Sequence, residues 1–202
     1  MSNPEKTANS GTTSESARVS VKITLMALFA ALIAAGTFIA IPIGPVPIVL
    51  QNFFALLSGL VLGPFLGAAA AGLYLLAGIL SLPVFAGLSG GIARFAGPTG
   101  GFLIGYLLAA LCAGSIAGRP RIQNKIPLPR LITAAAAGLL IVYVPGVAWL
   151  KISQNISWTK AFFAGFIPFA AGDIFKGIAA VLIAPRLRRI AAELLGNKVL
   201  ER

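Results

Sequence analysis

Between Ile23 and Gly118 the chain carries one formal charge, Arg94. That stretch is 96 residues long, whereas a helix crossing the hydrocarbon core of a bilayer needs roughly 20. A soluble fold could not cover so much apolar surface. Charged residues make up 10% of the chain, against about 25% in soluble domains. Helices that satisfy their own backbone groups are the solution lipid allows such a chain. The sequence reads as an all-α integral membrane protein.

The inventory of reactive side chains is thin. There is no His, and Cys112 is the single cysteine, which excludes a disulfide framework, His-based metal sites and Ser–His or Cys–His nucleophilic machinery. Asp173 is the only acid between residues 16 and 192. Paired-carboxylate hydrolysis and acid-rich metal chemistry need at least two acids in one site, so an enzyme is not expected, nor a metal or cofactor. No G-x-x-x-x-G-K-S/T run occurs, so this chain does not hydrolyse ATP through a P-loop. The 16 Lys and Arg against 5 Asp and Glu cluster where apolar runs end, the positive-inside pattern of membrane topology. No basic stripe with interleaved aromatics points to nucleic acid.

Residues 1–20 are rich in Ser, Thr, Asn and Glu and read as a disordered tail, followed by a membrane domain over 21–190 and a C-terminal tail over 191–202. The first span runs from Ile23 to Ile41 and stops at Pro42. The motif IPIGPVPIVLQN, with Pro42, Pro45 and Pro47, forbids continuous helix. An apolar run from Ile48 to Leu82 is broken by Gly63-Pro64 and reads as two helices. Pro83–Gly101 is a Gly- and Pro-rich irregular loop containing Arg94. Further spans are expected over 101–117, 131–150 and 161–184, with Trp149 and Trp158 at interface positions.

Parity tests the count. Arg18 and Lys22, the Arg119–Arg130 loop with Arg121 and Lys125, and the Arg186–Arg188–Arg189 cluster belong on one side. Four spans before the basic loop and two after it satisfy that condition. Six helices follow, with both termini cytoplasmic and the Pro42–Pro47 turn, the Pro83–Gly101 loop and the 151–160 loop on the outer side.

Asp173 and Lys176 stand three apart and share a helical face. Ionisable groups within spans line pathways or sites, and a purely structural pair gains little over packed apolar side chains. Arg94, alone on an apolar outer loop, suits a carboxylate in bidentate geometry or a lipid headgroup. Gln51 and Asn52 offer amides beside the broken segment, for a ligand or for helix–helix hydrogen bonding. Tyr74, mid-span in the third helix, is carried as a ligand candidate although its ordinary place is the core or the lipid face. The GPTGG glycines are compatible with an anion-holding nest or with a turn into the next helix. In the first span, Ala27, Ala31 and Ala35 form a flat strip of the kind that lets helices approach closely in lipid. The constellation asks for a small, partly apolar ligand with neutral donors and an acceptor, and a carboxylate at its outer end.

Several motifs in order carry a resemblance over nearly the whole chain after the tail. ALFAALIA at 27–34, PIGPVPIVLQ at 42–51, LPVFAG and the following Gly-Gly at 82–91, GPTGGF at 97–102 and GDIFK at 172–176 together resemble BioY, the biotin-binding substrate component (S component) of energy-coupling factor (ECF) transporters. Val49 stands where that family typically has Thr, and Ala171 where it often has Pro. The resemblance implies a six-helix fold in the bacterial cytoplasmic membrane with an outward-facing biotin pocket capped by the Gly-rich loop. It implies partnership with an ECF transmembrane coupling subunit and two cytoplasmic ATPases, the Ala27–Ala31–Ala35 strip being the contact face. Asp173 would accept a ureido N–H, Lys176 would donate to the ureido oxygen or orient Asp173, Arg94 would pair with the valerate carboxylate, and Gln51 would line the pocket. The readings that compete are an S component for another small carboxylated vitamin, a solitary biotin transporter, a secondary transporter, a membrane enzyme, and a ligand-free membrane scaffold.

Overall fold

The computed structural model describes residues 4–41, 45–122 and 126–196. Pro42 and Lys125, named above, lie outside the described residues. Helix α1 (Pro4–Ala35) begins well before the expected first span, so the segment read as a disordered tail carries helical backbone. Once an apolar nucleus is helical, extending it costs little per residue, and residues 15–20 ride on that helix exposed.

Past α1, the proline-rich segment forms a two-stranded antiparallel hairpin, β1 (Ala40–Ile41) and β2 (Ile48–Val49), with Ala40 opposite Val49. It leads into α2 (Gln51–Leu62) and α3 (Pro64–Ile79). They part as expected at Gly63-Pro64. Gly63 takes φ +83°, a region glycine enters without steric cost, and Pro64 starts the next helix, where its missing N–H is not needed. After the irregular segment with the single turn α4 (Ala93–Ala96) come α5 (Gly100–Ala117) and α6 (Leu128–Ser153). The expected last span is interrupted at Phe166, giving α7 (Trp158–Gly165) and α8 (Ile167–Leu194).

Small residues set the packing. A Cβ on Gly59 would fall 2.2 Å from the Ala110 carbonyl oxygen, so α2 and α5 touch backbone to backbone, the approach that lets helices associate in lipid. One core cluster gathers Phe29, Leu56, Leu60, Leu131 and Ala184, and a second gathers Ile33, Phe85, Phe102, Tyr106, Val142 and Phe169. Outside, large apolar side chains such as Leu73, Leu76, Ile104, Val144, Ile174 and Leu182 are exposed. A soluble fold would hide them. This is a multi-pass membrane protein. Among the described residues four helical stretches, 15–35, 100–117, 128–153 and 158–194, are long and apolar enough to cross a bilayer, while α2 and α3 are shorter apolar helices.

Arg119, Arg121, Arg130 and Arg188 collect at one end of the bundle. Arg188 donates to the carbonyl oxygens of Leu60, Ala117, Gly118 and Arg119, tying the C-terminal ends of α2 and α5 to α8 with a cation, the sign those ends favour. Lys22 on α1 shares a depression with Arg119 at the same end. The opposite end holds the hairpin and the irregular 80–99 segment.

Candidate ligand-binding site

Near the end opposite the arginines, α2, α6 and α8 converge on one carboxylate. Asp173 is 5% exposed, on a face of α8 that turns inward while Ile174 and Phe175 face out. Its Oδ1 accepts from Asn52 Nδ2 at 2.9 Å and from Lys176 Nζ at 2.9 Å. Its Oδ2 accepts from the Tyr143 hydroxyl. Lys176 uses all three of its hydrogens within the protein, the others going to Val49 O and Asn52 Oδ1, both at 2.9 Å. The sequence-expected pair is therefore a genuine ion pair, and Lys176 also fastens the end of β2 to α8. The hairpin makes that possible: β2 ends at Val49, just ahead of α2, which leaves the Val49 carbonyl free of an intrahelical partner.

A carboxylate offers about four acceptor positions. Three are filled here, leaving one on Oδ2. Asn52 Nδ2 likewise keeps a second hydrogen. Around these groups lies a cavity of about 40 Å³ lined by Val49, Asn52, Phe85, Phe102, Tyr106 and Phe169 among others, and reaching Arg94 and Thr99 at its far side. That is room for a few waters, whereas organic-ligand pockets run to about 300 Å³ and more. Admitting such a ligand requires a wall to move.

The irregular segment supplies part of that wall. Phe85 N and O pair with Ser89 O and N at 2.8 and 3.2 Å, closing a tight loop in which Gly87 and Leu88 take φ +75° and +53°. This drives Phe85 inward, edge-on to Tyr74 and to Phe95. At the loop's start, Val84 O accepts from Thr37 Oγ1 at 2.7 Å and Gln51 Nε2 at 3.0 Å. Near its end, Gly97 O accepts from Trp149 Nε1 at 2.9 Å. Arg94, on α4, is exposed and has no acidic partner among the described residues.

The sequence candidates are thus brought together unequally. Asp173, Lys176, Asn52, Gln51 and Arg94 all line the cavity. Gln51 does so with its amide committed: Nε2 also meets Thr37 Oγ1 at 2.5 Å and the Tyr74 hydroxyl at 2.7 Å. Tyr74, 1% exposed, stands behind Gln51 and does not line the cavity. Ala27, Ala31 and Ala35 are exposed along α1, while the intervening Ala30 is buried. Sequence reasoning missed Tyr143, Tyr106, Thr37, Phe85 and Phe169. For the tyrosines a signal existed: with Tyr74 they are the three in the chain, each mid-span where a hydroxyl needs a partner.

Comparison with known proteins places the chain among transport proteins. The BioY family model matches residues 7–193. The chain is 42% identical over 167 residues to "Probable biotin transporter BioY" of Pyrococcus horikoshii, covering 83% of this chain and 96% of that one. It is 41% identical over 166 residues to "Biotin transporter BioY" of Thermotoga maritima, covering 82% and 95%. A crystal structure of the S-component for biotin from an ECF-type ABC transporter superposes with a TM-score of 0.72 at 31% identity, covering 94% of this chain and 95% of that one.

Proposed function

The chain belongs to the BioY family, and we propose that it is the biotin-binding component of an ECF transporter, a transport protein and not an enzyme. The observation that carries this reading is the Asp173 carboxylate, which lines the cavity, is held by three donors inside the bundle and keeps one acceptor position unfilled. Biotin's ureido ring presents two N–H donors and a carbonyl. Asp173 Oδ2 takes a ureido N–H, and the spare hydrogen of Asn52 Nδ2 meets the ureido oxygen. Lys176, its hydrogens already spent, orients Asp173. The aromatic wall of Phe85, Phe102 and Phe169 covers the apolar part of the bicycle, and Arg94 meets the valerate carboxylate.

In this reading six segments cross the membrane: α1, α2, α3, α5, α6, and α7 with α8. At 1.5 Å per residue α2 spans about 18 Å of a core of about 30 Å. The hairpin completes that crossing on the outer side, which sinks Gln51 and Asn52 below the surface. Both termini and the arginine-rich end are cytoplasmic. The 83–101 loop caps the pocket and moves to admit biotin, because a cavity of about 40 Å³ is too small for it. The exposed Ala27–Ala31–Ala35 strip docks on the transmembrane coupling subunit. Two cytoplasmic ATPases supply the energy that lets the loaded component reorient and release its vitamin inside.

Titration of the detergent-purified chain with radiolabelled biotin tests the reading. Saturable binding that unlabelled biotin competes away, and that other carboxylated vitamins do not, is the expected result. Absence of biotin binding by folded protein sinks it, and competition by another vitamin reassigns the substrate.

A further inference from the structure

At the end remote from Asp173, Arg119, Arg121, Arg130 and Arg188 line a cavity of about 160 Å³ with Ile126 and Pro127, the Arg119 guanidinium lying over the Phe65 ring. Arg188 forms its floor, 8% exposed and donating only to backbone carbonyls. Arg130 is pinned by Nε to Ile116 O at 2.6 Å. Neither ion pair found among the described residues, Lys176–Asp173 or Arg189–Glu193, involves any of the four. Carbonyl dipoles satisfy hydrogen bonds without cancelling the like charges of Arg121, Arg130 and Arg188. The charge of this cavity is complementary to an anion.

The surroundings say which anion. The cavity lies between the end of α5 and the start of α6, where two apolar helices leave the hydrocarbon. Pro127 lines it, and the next residue, Leu128, opens an apolar groove of about 600 Å³ between α6 and α8 that runs past Ile132, Leu140, Ile178 and Leu182. Those four side chains and Leu128 are all exposed. A basic cavity at the end of two membrane-length apolar helices, beside an acyl-sized apolar groove, fits one amphiphile. We propose that this end of the protein binds an anionic phospholipid, its phosphate on Arg121, Arg130 and Arg188 and one acyl chain along the α6–α8 groove. The proposal does not rest on the identity of the transported ligand.

The test is titration of the full chain in detergent with fluorescently labelled phosphatidylglycerol, phosphatidylcholine of the same chain length, and inorganic phosphate. Phosphatidylglycerol binds at least about tenfold more tightly than phosphatidylcholine, because choline shields the phosphate. The double variant Arg121→Gln/Arg130→Gln loses at least about tenfold of that affinity. Arg189→Gln, altering an exposed arginine already paired with Glu193, leaves it unchanged. Equal phosphatidylglycerol affinity in the double variant and the wild type overturns the proposal, as does equal affinity for the two lipids. Inorganic phosphate that competes as well as the lipid also overturns it, assigning the cavity to a soluble anion. Should the double variant not fold, wild-type protein still decides: raising salt from about 50 to about 500 mM must release phosphatidylglycerol, and salt-insensitive retention defeats the idea.

Discussion

The hydroxyl of Tyr143 on α6 donates to the carboxylate of Asp173 on α8, joining two helices that otherwise diverge around an apolar groove. Tyr143 borders both that groove and the ligand cavity, so this one bond closes the site on its lipid side. It also explains how a lone acid is tolerated at depth. A buried charge is costly unless it is paired and hydrogen-bonded, and Asp173 has an ammonium, an amide and a phenol.

Asp173→Asn should weaken biotin binding by more than roughly tenfold, because a hydrogen bond to a charged acceptor contributes about 1.5–3 kcal/mol. Lys176 retains Val49 O and Asn52 Oδ1, so the fold should persist. Isothermal titration of the purified variant measures the loss; unchanged affinity would refute the assignment of Asp173.

Tyr143→Phe separates orientation from contact. Asn52 and Lys176 still hold Oδ1, so affinity should fall less than in Asp173→Asn, while thermal stability drops because a buried acceptor loses its donor, at about 1–3 kcal/mol. A loss of affinity equal to that of Asp173→Asn, with unaltered melting, would mean the phenol itself touches biotin.

Gln51→Ala should loosen the loop. The amide links Thr37, Tyr74 and Val84 O, leaving Thr37 Oγ1 as the remaining side-chain tie to Val84 O. Hydrogen–deuterium exchange over 83–92 should accelerate severalfold, and biotin should dissociate faster. If exchange in that segment does not change, the loop is held elsewhere.

Ala31→Trp places a large side chain in the exposed strip of α1. Transport in cells that also produce the coupling subunit and ATPases should be abolished, with biotin binding by the isolated protein preserved. Loss of both together would assign the strip to packing within the chain.

Much of this was legible in the residues. A 96-residue stretch with Arg94 as its one charge admits only a membrane fold, Gly63-Pro64 had to end a helix, and a lone Asp–Lys pair three apart in an apolar span had to face inward. These conclusions rest on local chemistry, the cost of charge in hydrocarbon and of proline within a helix, which needs no knowledge of neighbours. The break at Phe166 had a signal in Pro168, which opens α8 and could not sit inside a continuous helix without cost, whereas the helix over residues 4–20 had none, because its polar composition alone suggests no order.

What the tertiary structure alone decided is which polar groups meet. Tyr143 lies 30 positions from Asp173, and Asn52 lies 121 positions away; no spacing rule connects them. Gln51 reads like Asn52 in the sequence, yet one amide is spent on loop and core while the other turns to the carboxylate. Tyr74 and Tyr143 are both mid-span tyrosines, and only packing puts one behind the wall and the other in it. Sequence fixes the price of leaving each group unpaired in lipid, and the helix crossings, set by close contacts such as Gly59 on Ala110, choose the partner.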